Sequence, residues 1–233
     1  MVGSLNSLIA AALLFVGGHF ILSSSTLRPA LIARLGEGVF RAVYSAVMLG
    51  SFAWMLLAYG AAPVTLLWTT PLVLYWVPLA VMPIAAILIV AGLTTPNPTL
   101  VGGERLVEDS AGSPAVGILS VTRHPFLWGT GLWALCHLLV NGDLASFILM
   151  GGLAVLSFAG MVHIDSRREA AMGAAWGPMK LTTSLVPFAA IVSGRSTLDW
   201  RGIGWWRPLL GLVLYAALLH LHPLAFGVSP LPP

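Results

Sequence analysis

AVYSAVMLGSFAWMLLAYGAAPVTLLWTTPLVLYWVPLAVMPIAAILIVAGLTTPNPTLVGG, residues 42–103, contains no Asp, Glu, Lys or Arg. A soluble domain of this size cannot bury so long an apolar run, whereas two passes of the roughly 20 residues needed to cross a bilayer account for it. The run divides at Pro63, Trp68 and Pro71, a turn with an interfacial aromatic, and gives spans over 39–62 and 71–93. Pro78 and Pro83 are expected to kink the second of these spans, because each removes a ladder hydrogen bond.

Outward from this run the chain reads the same way. Of its 233 residues 58% are hydrophobic and 8% charged, against roughly 25% charged in ordinary soluble domains. Four further apolar segments, 4–23, 125–140, 144–164 and 205–226, bring the spans to six and define one all-α, polytopic membrane helix bundle over residues 1–233. No basic region precedes the first segment, so it is expected to remain as a span rather than act as a cleaved signal peptide. Leu185–Val192 is too short to cross and reads as an interfacial or re-entrant piece. The net charge of +3 marks no nucleic-acid surface, because the basic residues lie between apolar segments rather than in one patch. Cys136, alone in the chain, excludes an internal disulfide and a CxxC motif.

The basic residues also orient the bundle. All eleven Lys and Arg fall in the first, third and fifth connections, from Arg28 to Arg41, at Arg105 and Arg123, and from Arg167 to Arg207. By the positive-inside rule those connections face the cytoplasm and both termini lie outside. The lipid bilayer is therefore the first partner.

Candidate chemistry centres on TRHPFLWGTGLWALCHLLVNGD, residues 122–143. Pro125 breaks the helix, so Arg123 and His124 are expected at the membrane face, and Asn141-Gly142 reads as a C-cap. Inside the span Trp133 and His137 share a face with Gly129 and Phe126, an imidazole beside a gap. Ionisable residues within a span are functional-site hypotheses by default. In the first span Gly17-Gly18-His19-Phe20 sets two residues without side chains beside a second imidazole. Neutral imidazoles from separate helices can hold a haem iron axially, and the glycines favour His19 with His137 as the pair. Depth opposes that pairing and favours His163 beside His19 as the alternative. His220 and His222 read as interfacial residues. On the cytoplasmic side, Arg123 and His124 could hold an anionic cofactor group, with Asp165-Ser166-Arg167-Arg168-Glu169 nearby.

TRHPFLWG, LWALCHLLVNGD, HIDSRRE and TPNPT-VGGE, taken in chain order, resemble the NnrU family of bacterial integral membrane proteins. That resemblance implies a multi-pass protein of the bacterial cytoplasmic (inner) membrane associated with denitrification and nitric-oxide and nitrite metabolism. The same family includes 15-cis-zeta-carotene isomerase, which carries haem b. Its axial histidines fall here at His19 and His137, whereas its additional cysteine falls at Ala134, so Cys136 does not replace it. The resemblance thus implies haem b as cofactor and, in an enzyme, an apolar polyene as substrate. A more distant likeness of Arg123, His124, Pro125 and Gly129 runs to membrane methyltransferases that use S-adenosylmethionine. Their paired glutamates are not matched, since Asp165 and Glu169 stand apart.

Overall fold

A computed structural model describes residues 4–100, 103 and 114–232. Ten α-helices are named here in chain order: α1 Leu5–Leu22, α2 Leu27–Leu35, α3 Glu37–Gly60, α4 Trp76–Thr94, α5 Pro125–Val140, α6 Leu144–Met172, α7 Gly177–Thr182, α8 Ala189–Val192, α9 Trp200–Ile203 and α10 Trp206–Phe226. Among the described residues strand pairing is limited to one isolated bridge, Leu66 with Asp143. The protein is thus an all-α polytopic bundle. Five stretches are long and apolar enough to cross a membrane, and Pro125–Val140 is a shorter apolar helix.

Alternation of the crossing helices follows from the contacts at their ends. Arg123 on Asp165 and Arg207 on Thr94 tie the charged connections together at one end. At the other end Gly142 accepts hydrogen bonds from the amides of Leu67 and Trp68, and Leu144 donates to Thr65. Both ends of the described chain therefore lie at the end opposite the charged connections.

α5 is central, packed between α4 and α6. Its 16 residues span about 24 Å, less than the roughly 30 Å of hydrocarbon. Neighbouring helices cover it, so its short reach is compatible with a bilayer. Glycines set the spacing: a Cβ on Gly129 would lie 2.7 Å from the Ala85 carbonyl oxygen, and one on Gly92 2.6 Å from the Phe126 amide nitrogen. The gap expected at Gly129 is thus filled by α4. Against the other side of α6, Leu8, Ala11 and Ala12 of α1 pack with Met55 and Ala58 of α3 and Ala145, Leu149 and Met150 of α6.

Several local expectations are corrected. Pro78 lies in the first turn of α4, where its missing N–H breaks no helical bond, so Pro83 alone stands inside that helix. α5 ends on Asn141 in an extended conformation rather than in a left-handed glycine cap, and Gly142 instead permits close approach of the Trp68 backbone. The connection after α1 contains α2. α6 continues past residue 164 to Met172. Leu185–Val192 does not cross; Phe188, in a left-handed conformation at φ 64°, turns the chain into α8 while its amide donates to Val121.

Candidate functional site

At the charged end α6 carries polar residues on two faces. At 100° per residue His163 and Arg167 share one side, and Asp165 and Arg168 point nearly opposite.

On the Asp165 side the polar groups close on one another. Pro125 fits at the first helical position of α5, where its missing N–H costs nothing, and leaves His124 as N-cap. Arg123 donates from Nε to Asp165 Oδ2 at 2.7 Å, and His124 Nε2 donates to Oδ1 at 2.8 Å. The Arg123 amide donates to the Ser184 carbonyl, and Thr99 Oγ1 and Asn97 Nδ2 donate to the Arg123 carbonyl. Arg168, also buried, donates to the Leu100 carbonyl. The anion-holding role expected of Arg123 and His124 is therefore met from within the chain by Asp165. A charge buried this far must be paired, so the arrangement positions α5 against α6.

His124 Nδ1 has no hydrogen-bond partner among the described residues. Protonating the ring would bury an N–H donor without an acceptor. Burial pushes this imidazole below its ordinary value of 6.5, against the upward pull of Asp165.

On the His163 side the site is more open. A π-helical turn over Leu13–Gly17 precedes His19, whose Nδ1 donates to the Phe15 carbonyl at 2.7 Å. A carbonyl only accepts, so the lone pair of the neutral ring sits on Nε2. A side chain on Gly17 would meet nothing within 4 Å, whereas one on Gly18 would meet the end of the Met48 side chain. Ser23 Oγ donates to the His19 carbonyl and receives the His163 Nε2–H at 2.9 Å, placing His163 near His19 in depth.

Around His19 the rings form a file along the α1–α3 seam. Phe52 stands 5.1 Å from Phe15, Phe15 4.6 Å from His19, His19 5.9 Å from Tyr44, and Tyr44 6.0 Å from Phe40, all between centroids. From Phe52 to Phe40 the file runs about 18 Å along α3.

His137 is elsewhere. Trp133 and Leu138 pack on the cluster containing Leu8, Ala11 and Ala12, and the axis from Ala12 to His19 runs about 10 Å further toward the charged end. Two imidazoles clamping one iron bring their nitrogens within roughly 4 Å, so His19 and His137 do not form such a pair in this arrangement. His19 could hold an iron through one nitrogen: its Nδ1 is anchored on a carbonyl and its Nε2 has no hydrogen-bond partner among the described residues. No cluster of three or more His, Cys, Asp or Glu able to hold a metal occurs among the described residues.

Sequence reasoning missed Ser23, Tyr44, Asn97, Thr99 and the pairing of His137 with His222. The TPNPT turn signal located Asn97 without revealing its partner. The 200° between His220 and His222 on a helix would have shown that only one of them can face the bundle.

An apolar six-helix bundle with paired buried charge at one end defines a polytopic membrane protein whose polar groups are structural on one face of α6 and accessible on the other. The NnrU protein family matches residues 7–230, and the chain belongs to that family. Two relatives named 15-cis-zeta-carotene isomerase, chloroplastic, are similar to part of it. The Zea mays protein is 37% identical over 82 residues, 35% of this chain and 22% of the relative. The Arabidopsis thaliana protein is 35% identical over 116 residues, 48% of this chain and 32% of the relative. The likeness therefore spans under a third of either relative. No solved structure matches the chain.

Proposed function

We propose that this protein isomerises a cis double bond in a long apolar polyene within the bilayer. The aromatic file through His19 carries this reading, because stacked and edge-on rings along a half-buried seam offer π surfaces to a conjugated chain. The names of the two relatives support it. A substrate of this kind is dissolved in the bilayer and reaches the α1–α3 seam laterally. Phe15 and Phe52 would align it, Tyr44 would limit its slide toward the charged end, and His19 would stand beside it with an Nε2 that has no hydrogen-bond partner among the described residues. A haem b bound there would rest on His19 alone and supply a redox-active iron next to the polyene.

Purified protein in lipid vesicles, supplied with haem and a reductant, is incubated in the dark with 15-cis-zeta-carotene, and the isomers are separated by chromatography. Conversion that falls at least about tenfold in His19→Ala and less in Phe15→Leu is expected. No conversion by the wild type overturns the proposal, and a coloured protein that responds to nitric oxide without turning over polyene would favour a nitrogen-oxide role. The same reading places the charged end in the cytoplasm. Reporter fusions at Gly194 inside and at Gly142 and Ser229 outside test that orientation, and the reverse pattern defeats it.

A further inference from the structure

Residues 199–208, DWRGIGWWRP, turn the chain from α9 into α10 at the charged end and set two arginines among three tryptophans. Asp199 caps α9, and the backbone takes up both of its oxygens: Oδ1 accepts from the Gly202 amide at 2.9 Å and Oδ2 from the Gly117 amide at 2.8 Å. Arg207 is fixed by four hydrogen bonds, each to a neutral oxygen. Nε donates to Thr94 Oγ1, Nη2 to the Thr94 carbonyl, and Nη1 to the carbonyls of Gly202 and Ile203. The same guanidinium lies 4.5 Å from the centre of the Trp206 ring. Arg201 is exposed, and its side chain has no hydrogen-bond or ion-pair partner among the described residues. Neither arginine is ion-paired with a carboxylate among the described residues, Asp199 included.

We propose that this corner binds one anionic phospholipid, its phosphodiester held by Arg201 and Arg207 and its acyl chains laid along α10. A guanidinium presents a planar fork that matches phosphate oxygens, and Arg207 keeps at least one of its five N–H groups for that contact. Its existing bonds set the fork in place beforehand, so little side-chain freedom is lost on binding. Trp200 and Trp205 are 69% and 78% exposed, and amphipathic rings of this kind settle at headgroup level, which puts the arginines at phosphate depth. Below them Leu209, Leu210 and Val213 are exposed, because α10 packs chiefly on α4 through Gly211 and Tyr215. An acyl chain gains from that apolar surface and a free phosphate ion does not, so the occupant is a lipid. A zwitterionic headgroup would bring its own cation up to the two arginines, so a net anionic headgroup is preferred.

Protein purified in detergent is mixed with phosphatidylglycerol or phosphatidylcholine of the same acyl chains, and the lipid retained per chain is counted by native mass spectrometry. One phosphatidylglycerol should be retained at least about fivefold more than phosphatidylcholine, less so as salt is raised, and it should raise the Tm. Arg207→Gln should lose this preference, but it also cuts the tie between α10 and Thr94. Arg201→Gln removes no contact within the fold, so it decides: retention should fall at least about threefold with the lipid-free Tm unchanged. Arg34→Gln, an equal loss of charge from an exposed position on α2, should keep wild-type retention. Equal retention of the two lipids overturns the site, and so does a loss in Arg34→Gln as large as that in Arg201→Gln. Displacement of the lipid by millimolar inorganic phosphate overturns it as well, because the ligand would then be the free anion.

Discussion

The two ends of the bundle treat buried polar groups in opposite ways. Where α5 begins, Arg123 and His124 both pair with Asp165, and of the three side chains only His124 Nδ1 lacks a partner among the described residues. Where α5 ends, His137 meets His222 with neither Nε2 bonded among the described residues. One helix thus starts in an ion-paired network and finishes in a pair of neutral rings. Charge close to the membrane has to be neutralised for the fold to stand, whereas a neutral imidazole can keep a free lone pair for chemistry. His19, at the level of the ion-paired network, has no partner for its Nε2 among the described residues and faces α3 rather than the Asp165 side of α6.

The largest expected effect tests the ion-paired end. Asp165→Ala leaves Arg123 buried without its carboxylate and His124 without its acceptor. It should destabilise the protein by about 3–5 kcal/mol, read as a lower Tm in detergent and poor accumulation in the membrane. The Arg123→Met, Asp165→Leu double substitution should recover much of that loss, because it removes both charges together. If Asp165→Ala unfolds with wild-type Tm, the network does not hold α5 to α6, and the contrast between the ends loses its basis.

How far the sequence disclosed this contrast depends on what forces each feature. The charge-free run at 42–103 and the placement of Lys and Arg disclosed the crossing helices, since the bilayer admits few alternatives to an apolar helix. Pro125 disclosed the break before α5, and the shortness of Leu185–Val192 disclosed that it does not cross. Pairings of the histidines were not legible, because they depend on the rotation and tilt of whole helices. His137 was expected to reach toward His19, yet its ring points to α10. The π turn before His19 changes the helix phase by local packing that residue types at 13–17 do not announce. Gly129 and Gly17 look alike in sequence, yet one is pressed against α4 and the other is bare.

A smaller effect separates the neutral from the charged state of His124. Its folded value lies below its ordinary 6.5, so the unfolded chain takes up the proton first as pH falls. The His124 contribution to stability is then complete above about 6.5 and is lost as pH drops from there through the lower folded value. Thermal unfolding followed from pH 8 to pH 5 should show Tm declining below about 6.5 in the wild type and declining less in His124→Asn, which cannot titrate. A steeper decline in His124→Asn would mean that another group governs the acid limb and that the imidazole is not held neutral.

The smallest effect on stability is expected at Gly17, and the comparison with Gly129 makes it informative. Gly129→Leu forces a side chain into the Ala85 carbonyl and Ile89 backbone and should cost about 1–3 kcal/mol by pushing α4 from α5. Gly17→Leu meets nothing within 4 Å and should leave Tm within about 0.5 kcal/mol of the wild type. Gly17 lies about 200° around the helix from His19, so the same leucine projects from the face of α1 opposite the aromatic file. Gly17→Leu should therefore leave polyene conversion and haem uptake at the wild-type level while folding normally. A variant that folds normally and loses either function would place the reactive surface on the Gly17 face of α1 rather than at His19. A variant that loses stability would mean that the bare face of α1 is an interface with a further helix, and that the openness at this end is no more available to a ligand than the network on Asp165.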